Sequence, residues 1–175
     1  GYIRSDLMDL TEKPLTNSDG FGFGRVTSSD GAVQTNATIS TDSSASGGVT
    51  AADPTAVSLV DYAKSLLGCP YVYGGTSTSG FDCSGFVQYV YKQYGYSLNR
   101  TANDQMKNGR SVTVAELVPG DLVFFGYSGY SNHSGIYIGG NQFIHAANPG
   151  SGVVITDLYT DYYSSSYLGA RRIIG

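Results

Sequence analysis

The sequence predicts an α+β domain in which N-terminal helices pack on a five- to six-stranded antiparallel sheet. Three observations carry this expectation. Two segments between residues 54 and 94 repeat apolar residues at helical spacing. From Leu122 onward the apolar runs become short and turn-bounded, as in Leu122-Val123-Phe124-Phe125 and Gln142-Phe143-Ile144-His145-Ala146. Pro119-Gly120-Asp121 and Gly139-Gly140-Asn141 supply the turn signals between them.

In chain order, residues 1–10 are expected to form a short strand followed by a turn, and residues 11–53 read as a polar linker rich in Ser, Thr and Gly. The linker is expected to lie on the following domain or on a neighbouring molecule. Asp53-Pro54 opens the first helix, with Asp53 as N-cap and Pro54 at the first helical position. Ala56, Leu59, Val60, Ala63, Leu66 and Leu67 make its apolar face, and Gly68 ends it. An extended piece, Pro70 to Gly75, and a polar loop lead to Asp82, which caps a second helix carrying Phe86, Val87, Val90, Tyr91 and Tyr94. Thr101 caps a short third helix. The expected strands are Leu122–Phe125, His133–Ile138, Gln142–Ala146, Val153–Ile155 and Ala170–Ile174.

The 175 residues carry a net charge of −4 and are 41% hydrophobic. The acidic balance excludes nucleic acid and anionic membrane as main partners. No apolar run reaches the roughly 18 residues of a membrane span. The 15 tyrosines suit contact with polar polymers as well as a half-wet core.

Of the two cysteines, Cys69 ends a helix as a small apolar residue, whereas Cys83 begins one. A thiol at a helix N-terminus feels the positive end of the macrodipole, which favours thiolate. Both histidines, His133 and His145, fall on one expected hairpin. A three-residue turn would pair Ile138 with Gln142 and Gly135 with His145, placing both imidazoles on one face. A two-residue turn would place them on opposite faces. In the first arrangement Gly135 leaves open space beside His145. Cys83 with His133 as base and His145 as the group orienting it is the logic of a thiol hydrolase. The same three side chains could hold zinc, but the CxxC or HxxxH spacing of such sites is absent, so no metal or other cofactor is expected.

Pro70-Tyr71-Val72-Tyr73-Gly74-Gly75, Phe81-Asp82-Cys83-Ser84-Gly85-Phe86-Val87, Arg100-Thr101-Ala102, Pro119-Gly120-Asp121-Leu122-Val123-Phe124-Phe125 and His133-Ser134-Gly135-Ile136-Tyr137-Ile138-Gly139 resemble, in order, the signatures of the NlpC family of bacterial cell-wall cysteine peptidases. The resemblance implies a papain-like core over residues 54–175. It implies cleavage of peptidoglycan stem peptides between D-γ-glutamate and the following diamino acid, with Cys83 as nucleophile, His133 as base and His145 as third residue. It further implies that Tyr71, Tyr73, Asp82 and Ser84 contact substrate, the last two at positions that bind a free N-terminal amine in some members. The expected partner is the stem peptide, with no nucleic acid and no membrane span. The expected protein is a secreted, wall-associated bacterial monomer. The Cys83 backbone N–H is the expected oxyanion donor. Ser134 stands where the family commonly has Val, a change expected to alter packing and not chemistry. Residues 1–10 resemble the last strand of a bacterial Src-homology-3-like wall-binding module. Two alternatives are a thiol amidase or acyltransferase acting on another amide, and a non-catalytic wall-binding module.

Overall fold

A computed structural model describes residues 53–175. The expectations for residues 1–10 and for the linker lie outside the described residues.

Helix α1, Pro54–Ser65, starts as expected: the Asp53 carboxylate accepts the Thr55 N–H at 2.8 Å. Ala56, Leu59, Val60, Ala63 and Leu66 are buried. Leu67 is not, at 45% exposure. It lies beyond the last helical turn, where the left-handed Gly68 turns the chain away from the α1 face. A small hairpin, β1 (Thr76–Ser77) and β2 (Gly80–Phe81), forms where the sequence suggested only a polar loop. It feeds directly into α2, Cys83–Gln93, which buries Phe86, Val87, Val90 and Tyr91. The Tyr91 hydroxyl donates to the Gly120 carbonyl and so ties α2 to the turn before the sheet. Helix α3, Ala102–Gln105, is capped by the Thr101 hydroxyl, which accepts the Asp104 N–H at 3.1 Å.

The sheet contains β3 (Arg110–Val112), β4 (Leu122–Tyr127), β5 (Tyr130–Gly139), β6 (Gln142–Ala146), β7 (Val153–Asp157) and β8 (Tyr167–Arg172). Every pairing is antiparallel, in the order β3-β8-β4-β5-β6-β7. Strand β3 and helix α4 (Asp161–Ser166), between β7 and β8, also escaped the sequence reading. Alternation along the strands gives the sheet two apolar faces. Phe124, Ile136 and Ile144 pack with α1 and α2 residues such as Leu59, Phe86 and Val90. Val123, Phe125 and Phe143 pack on the other face with Leu158, Tyr163 and Tyr167. Among the described residues, no helix is long and apolar enough to cross a membrane.

One buried ion pair closes the sheet. Arg172 Nε and Nη2 donate to the two Asp121 oxygens at 2.8 and 2.7 Å, and Asp121 is 1% exposed. The pairing raises the Arg172 pKa. Removing the guanidinium leaves a buried carboxylate with only the Val118 N–H for company. Arg172→Met is therefore expected to cost about 3–5 kcal/mol, read from urea unfolding against wild type.

Candidate active site

The loop-to-helix junction at Asp82 is organised by one carboxylate. Asp82 Oδ1 accepts the Gly85 N–H at 2.6 Å, capping α2. Oδ2 accepts the Gly74 N–H at 3.0 Å, which fixes the Tyr71–Gly75 segment alongside. Arg100 reaches both oxygens, at 3.0 and 2.6 Å, and its Nη1 also donates to Ser84 Oγ at 2.9 Å. This fork-on-carboxylate contact raises the Arg100 pKa. Asp82 thus meets a cation from its own chain, a partner the sequence reading did not name. Tyr71, Tyr73, Asp82, Cys83, Ser84 and Arg100 line a cavity of about 500 Å³. Tyr73 is 91% exposed at its rim.

Across the cavity β5 carries a bulge. Phe125 pairs with His133 and Gly126 with Ser131, so Asn132 is the extra residue. The bulge is pinned from two sides. Ser131 Oγ donates to the Phe125 and His133 carbonyls, and the Ser131 N–H donates to Asn103 of α3 at 3.2 Å. The ladder between β5 and β6 stops at Ile136–Ile144. Cys83 Sγ occupies the β5 edge beyond that point. It lies 3.8 Å from the Asn132 carbonyl oxygen. The thiol's hydrogen bond goes to this carbonyl and not to an imidazole. Burial and the neighbouring Asp82 charge push the Cys83 thiol up, while the backbone N–H groups of Ser134, Ser84 and Cys83 itself pull it down. The net shift is upward, so the helix terminus does not by itself make a thiolate. Both cysteines are free, and half-buried Cys69 packs against the helical core.

His133 and His145 come together on the Phe125–Phe143 face of the sheet, with His133 Nε2 2.7 Å from His145 Nδ1. The route to this register combines the two turns considered. The loop has two residues, Gly140 and Asn141, both left-handed as a type I′ hairpin requires. Ile138 then bulges, restoring Tyr137–Phe143 and Ile136–Ile144, the register a three-residue turn would have given. Gly135 faces His145 as expected, but the space beside it is filled. A Cβ there would stand 2.7 Å from the Phe143 ring and 3.1 Å from His145 Cβ, so glycine allows close packing and leaves no opening.

His145 is fully buried, and its Nε2 lies 2.9 Å from Thr156 Oγ1 on β7. Thr156 escaped the sequence reading because its role depends on register with Phe143. Burial pushes His133 down to about 4 and, with His133 beside it, His145 down to about 3. Both imidazoles are neutral at pH 7. With Nε2 committed to His145, Nδ1 is the free nitrogen of His133. For Nδ1 to accept a proton, Nε2 must carry its own and donate to His145 Nδ1. His145 then donates from Nε2 to the Thr156 hydroxyl.

A model of the NlpC/P60 family matches residues 68–172. The chain belongs to this family. It is 38% identical over 121 residues to a γ-D-glutamyl-L-lysine dipeptidyl-peptidase of Bacillus subtilis, covering 67% of this chain and 41% of that protein. It is 48% identical over 118 residues to the probable peptidoglycan endopeptidase LytE of the same organism, covering 65% of this chain and 33% of LytE. The crystal structure of an NlpC/P60 family protein from Bacillus cereus superposes with a TM-score of 0.67 at 38% identity. That match covers 70% of this chain and 41% of the other. The chain therefore spans well under half the length of these relatives.

Within this NlpC/P60 domain, Ser134 does more than fill space. It is fully buried and donates to Gln105 Oε1 at 3.0 Å, while Gln105 Nε2 donates to the Ser84 and Asn99 carbonyls, each at 3.0 Å. One buried amide thus bridges the residue after Cys83 and the residue after His133. Ser134→Val orphans Gln105 Oε1 and is expected to cost about 1–3 kcal/mol in denaturant unfolding.

Proposed function

We propose that this domain is a cysteine endopeptidase of the bacterial cell wall that cuts peptidoglycan stem peptides at the D-γ-glutamyl–diamino acid bond. The observation that carries the reading is Cys83 at the capped start of α2, set against the bulge that bears His133, with His133 bonded to His145. The names of the two Bacillus subtilis relatives support the substrate class.

In the proposed reaction, His133 Nδ1 takes the Sγ proton and the sulfur attacks the glutamyl γ-carbonyl carbon. Burial disfavours a lone thiolate and a lone imidazolium alike. Proton transfer creates the two charges together, and their attraction in a low-dielectric site offsets the desolvation. The Cys83 N–H is the proposed donor to the oxyanion. The tetrahedral adduct collapses with cleavage of the C–N bond, and His133 returns the proton to the leaving amine. Water then attacks the thioester with His133 as base, releasing the new carboxylate and restoring the thiol. His145 holds the His133 ring and its tautomer, and Thr156 holds His145. Tyr71, Tyr73, Asp82 and Ser84 are the proposed contacts to the acyl side of the substrate, with Asp82 acting as an ion pair with Arg100. The enzyme is proposed to work outside the cell, at the wall, as a monomer. Digestion of purified walls of diaminopimelate and of lysine type, with masses of the released fragments, tests the bond assignment. New D-glutamyl carboxylates and new diamino-acid amines are expected. Fragments cut only at another amide would replace this reading by a different thiol amidase.

A further inference from the structure

Groups from four elements pack around the two imidazoles, of which His145 is fully buried and His133 half-buried. Phe125 (β4), Phe143 (β6) and Thr156 (β7) belong to the sheet itself. The fourth is Tyr163, from the short surface helix α4. Its ring centroid lies 6.0 Å from His133 and 5.4 Å from His145, meeting the latter edge to face at 86°. It also packs at 4.9 Å against both Phe125 and Phe143. Tyr163 is half-buried, while Tyr162, Ser164 and Ser165 beside it are exposed. Of the three rings in the shell, Phe125 and Phe143 are fully buried, so Tyr163 is the ring that stands between the histidine pair and solvent. The titratable groups around the pair are Cys83 at the start of α2 and Tyr163 on α4. The shift of His133 comes from burial alone, and that of His145 from burial and His133.

We propose that Tyr163 is a positioning residue whose ring roofs the His133–His145 hydrogen bond, keeping it out of water and holding the His133 ring in one orientation. The inference rests on the catalytic reading of that pair, but its decisive measurement does not require turnover. A desolvated imidazole resists protonation, so removing the roof lets water stabilise the charged form. The ring matters here and the hydroxyl does not, which separates this role from that of a hydrogen-bonding tyrosine.

The test uses the full chain with Tyr163→Ala, Tyr163→Phe and, as control, Tyr162→Ala. Imidazole titration by NMR is expected to be unchanged in Tyr163→Phe and Tyr162→Ala. In Tyr163→Ala it is expected to move up by about one pH unit or more, towards the ordinary histidine range. On wall fragments, Tyr163→Ala should lose about ten- to a hundredfold in kcat with little change in KM, and Tyr163→Phe should restore it. If Tyr163→Ala does not fold, Tyr163→Val, which shortens the side chain and still uncovers the pair, is expected to show the same upward titration. Wild-type titration in the Ala or Val variant overturns the proposal, and so does a Phe variant as impaired as Ala. A wild type without thiol-dependent turnover would overturn the catalytic reading, while the titration result would still stand or fall on its own.

Discussion

Cys83→Ala is expected to reduce release of soluble fragments from purified walls by about 10⁴-fold or more, to background. No other group at the junction can replace the sulfur. Ser84 Oγ is engaged by Arg100, and Asp82 is held by its cap, by the Gly74 N–H and by the guanidinium. Because Cys83 is half-buried at a helix start, the Ala variant should fold and melt close to wild type. The loss would then be chemical. Cys83→Ser is expected to be equally inactive, since a hydroxyl proton is far harder for a neutral imidazole to remove. Iodoacetamide offers a check independent of substrate. At neutral pH Cys83 should alkylate well before Cys69, because only Cys83 begins a helix and lies against a strand whose next residue bears a neutral imidazole. Undiminished fragment release by the Ala variant, or faster labelling of Cys69, would remove Cys83 from the nucleophile's role.

The parts of this fold that could be read from sequence are those whose physics is local. Asp53-Pro54, Asp82 and Thr101 each cap the helix that follows within a few residues, and all three caps form. The histidine hairpin was legible as a pair of alternatives, because register turns on the parity of one loop. The actual solution, a two-residue turn corrected by a bulge at Ile138, leaves no signature beyond Gly-Gly-Asn. Contacts between distant segments were not legible. Arg100 meets Asp82 across 18 residues, and Gln105 meets Ser134 across 29. Helix α4 was missed because Asp161-Tyr-Tyr-Ser-Ser-Ser has no apolar period. It is held by one aromatic ring packed on the sheet, which propensity does not encode.

His145→Ala is the second large effect. It removes the acceptor for His133 Nε2 and the partner of Thr156, and it opens a hole in a fully buried site. His133 is then free to rotate or adopt the tautomer with Nδ1 protonated, which cannot accept the thiol proton. A loss of about 10²–10⁴-fold in kcat is expected, with KM little changed. His145→Gln, which retains an acceptor oxygen and an N–H donor, should recover part of it. The same pair makes stability depend on pH in a fixed direction. Both imidazoles titrate at about 6.5 when unfolded, but at about 4 and about 3 when folded. As pH falls through 6.5 the unfolded chain binds protons that the native state refuses. Stability present above pH 6.5 is therefore lost progressively down to about pH 3, by an amount on the order of several kcal/mol. The His145→Ala variant, with one refusing site instead of two, should lose less on going from pH 7 to pH 5. Urea midpoints of both proteins at the two pH values give the comparison. Equal losses in the two proteins would mean that His145 is not held neutral by its surroundings, and wild-type turnover in the Ala variant would leave His133 oriented by something other than its neighbour.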